Sequence, residues 1–141
     1  MMCVEKELID DFALFEDWED KYRYIIDLGK KLDPIEPCYL TNDYKVDGCI
    51  SQVWITSSYN SESGLLSFKG DSDAFIVKGL IAVLFRLFNK RKPEDILNVD
   101  VEAVFTQIGL DEHLSPNRRN GFYSMIETIM NTARDAEASA Q

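Results

Sequence analysis

The chemistry this chain can do starts with a thiol. Its cysteines are Cys3, Cys38 and Cys49. Cys49 follows Gly48 directly and precedes a β-branched and aromatic run, Val53-Trp54-Ile55-Thr56. Glycine tolerates positive φ, so the pair predicts a tight loop with Cys49 at its tip. A thiol there can stand exposed or fold inward with a modest loop motion. The thiolate is the nucleophile, and a free thiol has a pKa of about 8.5, so a nearby cation or amide donor has to assist. The plainer reading is a buried, inert cysteine, the ordinary fate of an isolated one. Local sequence leaves both open. Cys38, beside Pro37 between two turn signals, and Cys3, in an end expected to be mobile, read as bystanders.

Other polar residues could assist a thiolate. His113 and Arg118 flank Ser115-Pro116, an N-cap followed by a proline at the first helical position. Helix N-termini favour anions. The plainer readings are a surface histidine and a solvated or salt-bridged arginine. Asp73, with Asp71 and Ser72, offers an oxygen to cap the next helix. With one histidine and no C-x-x-C pair, a zinc site of the usual type is short of ligands.

The elements that must position these residues read as one α+β domain spanning residues 1–141, a small antiparallel sheet covered by helices. A short helix is expected over Val4 to Phe15. Trp18, Tyr22, Ile25 and Ile26 share one face of a second helix, which fades at Gly29. The stretch from Asp33 to Asp47 reads as mostly irregular, with a short strand within Tyr39 to Val46. Val53 to Ser57 and Leu65 to Lys69 predict a hairpin about a turn at Asn60 to Gly64. The helix from about Asp73 to Asn89 is apolar nearly all round, Phe75 included, and reads as the buried centre. Pro93 opens a short helix. Asp100 caps another that Gly109 stops, and Ser115-Pro116 opens the last, whose tail is expected to fray after Arg134.

Composition narrows the partners. The formal net charge is −10, which repels nucleic-acid phosphates and anionic membranes and fits proteins that present a basic patch. The chain has no apolar run long enough for a membrane span and no apolar signal core at its start, so a cytoplasmic, reducing location is expected. An odd number of widely spaced cysteines is a poor disulfide framework.

With those residues laid out, the sequence resembles the SufE family of sulfur-acceptor proteins. Four segments carry the resemblance, in the family's order: Trp18-Glu19-Asp20-Lys21-Tyr22 with Tyr24-Ile25-Ile26-Asp27-Leu28-Gly29; Val46-Asp47-Gly48-Cys49-Ile50-Ser51-Gln52-Val53-Trp54-Ile55; Gly70-Asp71-Ser72-Asp73-Ala74-Phe75-Ile76-Val77-Lys78-Gly79-Leu80; and His113-Leu114-Ser115-Pro116-Asn117-Arg118. It runs from about Leu8 to Ala133. The resemblance implies a SufE/IscU-like sandwich, with Cys49 as the persulfide-forming residue and Gln52, Asp73 and Arg118 near it or its partner, His113 supporting. It further implies a sulfur carrier, not an enzyme. Such a carrier accepts persulfide sulfur from a pyridoxal-phosphate cysteine desulfurase, stimulates that enzyme and passes sulfur to an iron–sulfur scaffold complex. The pyridoxal phosphate belongs to the partner, so the chain is expected to hold no cofactor and no metal of its own. Three rival readings are an iron–sulfur scaffold of the same fold, a cysteine hydrolase using Cys49 and His113, and a non-covalent activator of the desulfurase.

Overall fold

The computed structural model describes residues 3–46 and 52–140, leaving aside the side chains of residues 3, 111, 139 and 140. Helix α1 spans Cys3–Ala13 and α2 spans Trp18–Lys30. Asp17 caps α2, its carboxylate accepting from the Asp20 amide at 2.9 Å. Strands β1 (Val53–Asn60) and β2 (Leu65–Ser72) pair antiparallel, in a register running from Val53 opposite Ser72 to Asn60 opposite Leu65. The turn between them closes on Asn60, whose side chain accepts from the amides of Glu62 and Ser63. Gly64 supplies the positive φ, 75°, that returns the chain.

The sheet turns one face inward. Val53, Ile55, Leu66 and Phe68 alternate along the strands and are buried. Helix α3 (Phe75–Phe88) lies against them and is buried on nearly every side, from Ile76 to Phe88. Helices α4 (Pro93–Leu97), α5 (Val101–Ile108), α6 (Leu110–His113) and α7 (Pro116–Ala140) close the rest. Asp100 caps α5 by accepting from the Ala103 amide at 3.1 Å. Gly109, at φ 83°, ends α5, and α6 follows at once. The outcome is the expected α+β arrangement, a small antiparallel sheet covered by helices.

Four expectations need correction. The stretch Tyr39 to Val46 is not a strand. It forms 3-10 turns at Pro37–Tyr39 and Asn42–Tyr44, and only Lys45 bridges to Trp54. Pro37 and the Asn42-Asp43 pair favour turns over a ladder. The last helix does not end near Arg134 but runs to Ala140. Ala133 is fully buried and Ala136 packs on the core, and alanine is the strongest helix former. Phe75 is not a core residue: it is 75% exposed at the start of α3. Asp73 does not cap α3, whose N-cap is Ala74 and has no side-chain hydrogen bond.

Polar groups inside this shell are paired. Arg91 and Glu5 are buried together at 2.9 Å, and Arg91 also donates to the Leu87 carbonyl at 2.8 Å. The pair ties α1 to the chain segment after α3, and breaking one partner would leave the other charge buried. Arg86 meets Asp11 at 2.7 Å and donates to the Tyr24 hydroxyl at 2.9 Å. Burial pushes the Tyr24 phenol above its ordinary pKa, Arg86 works against that, and Asp11 adds to it.

Helices α2 and α3 cross closely at Gly29 and Gly79, where backbone approaches backbone. A Cβ built on Gly29 would lie 2.6 Å from the Gly79 nitrogen, and one on Gly79 would lie 2.5 Å from Ile25 Cγ2 and 2.7 Å from the Ile25 carbonyl carbon. Helix propensity alone favours Gly79→Ala by about 0.8–1 kcal/mol. The crossing reverses that sign: overpacking a tight contact costs about 1–3 kcal/mol, more where backbone must move. Urea unfolding of Gly79→Ala is therefore expected to show a lower midpoint than wild type. A higher midpoint would mean that the crossing is looser than described.

Candidate functional site

Cys49, together with Gly48, Ile50 and Ser51, lies outside the described residues. The chain on either side of that segment is held in place. Val46 is buried, and its amide donates to the Val53 carbonyl at 2.8 Å. The residue that enters the segment and the strand that leaves it are thus neighbours.

Asp73 and Gln52 form the second anchor. The Asp73 carboxylate accepts from the Gln52 amide at 3.0 Å, and the Asp73 amide donates to the Gln52 carbonyl at 3.3 Å. This reciprocal pair continues the β1–β2 ladder one step past Val53 and Ser72, with a side chain standing in for one backbone acceptor. Gln52 stands three positions after Cys49, so Asp73 fixes where the chain leaves the cysteine segment. The neighbouring polar residues have other work. Asp71 accepts from the Ser72 amide at 2.8 Å and pairs with Lys78 at 3.3 Å. Ser72 is buried, and its hydroxyl accepts from the Ala74 amide at 3.3 Å.

His113 and Arg118 stand at the junction of α6 and α7. Ser115 accepts from the Arg118 amide at 3.3 Å, so Arg118 belongs to the capped first turn of α7. The exposed His113 ring stacks on Trp18, with centroids 4.3 Å apart and planes inclined by 9°. Three positions along α2, Lys21 donates to the Ile108 carbonyl at 3.3 Å. These two contacts hold the first turn of α2 against the end of α5 and against α6. The structure therefore joins Gln52 to Asp73 by hydrogen bonds and His113 to Trp18 by stacking.

Sequence reasoning missed two residues here. It puts Trp18 on one face of α2 with Tyr22, Ile25 and Ile26 and assigns it no partner, whereas the half-buried Trp18 packs against the core and also serves as the platform under His113. An aromatic at the first position of a capped helix is the available signal. It places Phe75 in the core because α3 is apolar all round. The position of Phe75 before the first full turn, two residues after Asp73, is the clue to the contrary.

Cys38 is exposed in the turn Pro37–Tyr39, with its sulfur 3.9 Å from a Glu36 carboxylate oxygen. A groove of about 510 Å³ runs between that turn region and the hairpin, lined by Tyr39, Tyr44, Thr56, Ser58 and Lys69 among others. It includes none of the expected site residues. Among the described residues, no group of three or more His, Cys, Asp or Glu side chains converges in a metal-binding arrangement. No described helix is long and apolar enough to cross a membrane.

Known proteins resemble this chain in sequence and in fold. An uncharacterized SufE-like protein of Rhizobium meliloti (strain 1021) is 44% identical over 129 residues, covering 90% of this chain and 92% of that one. An uncharacterized SufE-like protein of Rhizobium etli is 42% identical over 130 residues, covering 91% and 88%. In three dimensions, the solution structure of a hypothetical protein from Thermus thermophilus superposes with a TM-score of 0.78 over 96% of each chain at 19% identity, a likeness of fold. The family model of the SufE Fe-S metabolism associated domain matches residues 6–133. By that match and by the identity of its relatives, the chain belongs to the SufE family.

Proposed function

We propose that residues 1–141 act as one unit that carries sulfur on Cys49, taking it from a cysteine desulfurase and passing it on for iron–sulfur cluster assembly in the cytoplasm. The observation that carries this reading is the Asp73–Gln52 pair. It anchors the exit of the cysteine segment to the start of α3, as a carrier needs if its thiol is to be presented from a fixed base. Family membership in Fe-S metabolism supports the same reading.

The transfer balances without an added oxidant. The Cys49 thiolate attacks the outer sulfur of the donor's persulfide. The S–S bond in the donor breaks, and the donor cysteine leaves as a thiolate. Cys49 now bears the persulfide, and the desulfurase is free for another turnover. Pyridoxal phosphate acts earlier, in the partner, when sulfur is taken from free cysteine. Gln52 and Asp73 position the segment. Arg118, in the capped first turn of α7, supplies positive charge and amide dipole to an approaching thiolate or persulfide, and His113 stands beside it as a hydrogen-bonding side chain.

Two experiments test this reading. Desulfurase turnover, read as alanine released from cysteine, is expected to rise on adding the wild-type chain and to stay basal with Cys49→Ser. Full stimulation by Cys49→Ser would replace the carrier by a non-covalent activator. The second concerns Asp73. Alanine removes the acceptor for the Gln52 amide, whereas asparagine keeps an oxygen in its place. The alkylation rate of Cys49 by iodoacetamide is expected to rise severalfold in Asp73→Ala and to stay near wild type in Asp73→Asn, with unchanged circular dichroism. Equal rates in all three folded proteins would remove Asp73 from the site.

A further inference from the structure

Phe75 is an unusual residue in its place. The other phenylalanines of α3, Phe85 and Phe88, are buried, as are Phe12, Phe68, Phe105 and Phe122. Phe75 is 75% exposed, in the first position of α3. Nothing in helix formation calls for it there, since phenylalanine is a middling helix former and fills no cap. A scattered exposed apolar residue needs no explanation, but this one is not isolated. It borders a shallow cleft of about 50 Å³ whose other walls are Ile26, Gly29, Lys30 and Lys78. The cleft lies beside the close crossing of α2 and α3, with Gly29 in its wall. It offers the ring of Phe75, the half-buried Ile26 and the aliphatic stems of two lysines as one apolar surface.

The charge of this surface has a sign. Lys78 is paired with Asp71 at 3.3 Å and Lys30 with Asp27 at 3.9 Å. The exposed carboxylate of Asp73 accepts from a neutral amide, so its charge is not cancelled there. An apolar centre with a net negative rim, on a chain of charge −10, complements an apolar pocket rimmed by cations. The place also matters. Phe75 is two residues from Asp73, which holds Gln52, which is three residues from Cys49. Phe75 thus stands close to Gln52, where the described chain resumes after the cysteine segment.

We propose that Phe75 is the apolar anchor by which this chain docks on its sulfur donor, inserting into an apolar pocket with a basic rim on the cysteine desulfurase. The inference rests on the sulfur-carrier reading for the identity of the partner. Exposed aromatics that become fully buried at the centre of an interface carry a large share of binding energy.

The test is the dissociation constant between the full chain and a cysteine desulfurase from the same organism, measured by calorimetric titration for wild type, Phe75→Ser and Phe75→Leu. Phe75→Ser is expected to raise it about tenfold or more, and Phe75→Leu to recover much of that loss. Thermal unfolding of the variants is expected to match wild type, because a ring three-quarters exposed contributes little to the core. Affinity unchanged in Phe75→Ser, or no binding by wild type, would overturn the proposal. Sulfur on Cys49 is read separately by mass in the same mixtures. Unchanged affinity with Cys49 still gaining sulfur sinks the anchor alone, whereas Phe75-dependent binding with no sulfur on Cys49 sinks the carrier reading and leaves the anchor standing.

Discussion

Helices α2 and α3 approach one another until backbone meets backbone, at Gly29 and Gly79. The rest of the arrangement hangs on that contact. Because α3 is pressed between α2 and the hairpin, its start is fixed relative to the end of β2, and Asp73 lies in the short connection between them. Asp73 then meets Gln52 at the end of the ladder away from the hairpin turn. Because α2 is held along α3, its first residue, Trp18, reaches the junction of α6 and α7 and takes the His113 ring on its face. One close crossing thus sets the frame for both sets of expected site residues. A side chain as small as a methyl at Gly79 would separate the helices and shift each set with respect to the other.

Charge is distributed in two ways. Inside, Glu5 pairs with Arg91 in the core, while the Asp11–Arg86 pair beside Tyr24 is only partly buried. Such pairs fix which elements meet more than they add to stability, since desolvation offsets much of the attraction. Outside, acids outnumber bases, and several of the surface ion pairs are exposed i,i+3 or i,i+4 contacts of small energetic weight. An acidic surplus of this kind favours encounter with proteins that present a basic patch. Under the docking proposal, the exposed ring of Phe75 is the point of attachment for that encounter, two residues from Asp73.

Much of this is legible in the sequence where the causes are local. Asp17, Asp100 and Ser115-Pro116 announce helix starts by chemistry that acts within three residues. The hairpin follows from β-branched and aromatic runs about Asn60 and Gly64. What is not legible depends on contacts between distant segments. The Asp73 carboxylate could equally cap α3 or reach Gln52, and only the register of β1 on β2 decides for Gln52. The turns from Pro37 to Tyr44 replace an expected strand because local turn chemistry there outweighs the β propensity of Tyr39 and Val46. Phe75 reads as core because its helix is core, and burial at a helix's first position depends on what lies beyond it. Cys49 is singled out by Gly48 and by the family resemblance together, since neither Cys38 nor Cys3 has comparable surroundings in sequence.

The central claim is that sulfur rests on Cys49. Intact-mass measurement after incubation with a cysteine desulfurase and cysteine, followed by peptide mapping under non-reducing conditions, tests it most directly. The account predicts a gain of about 32 Da per transferred sulfur, as a persulfide, on the peptide containing Cys49, with Cys38 and Cys3 largely unmodified and with no gain in Cys49→Ser. Equal sulfur uptake by Cys49→Ser, or a gain mapped to Cys38 or Cys3 instead, would contradict it.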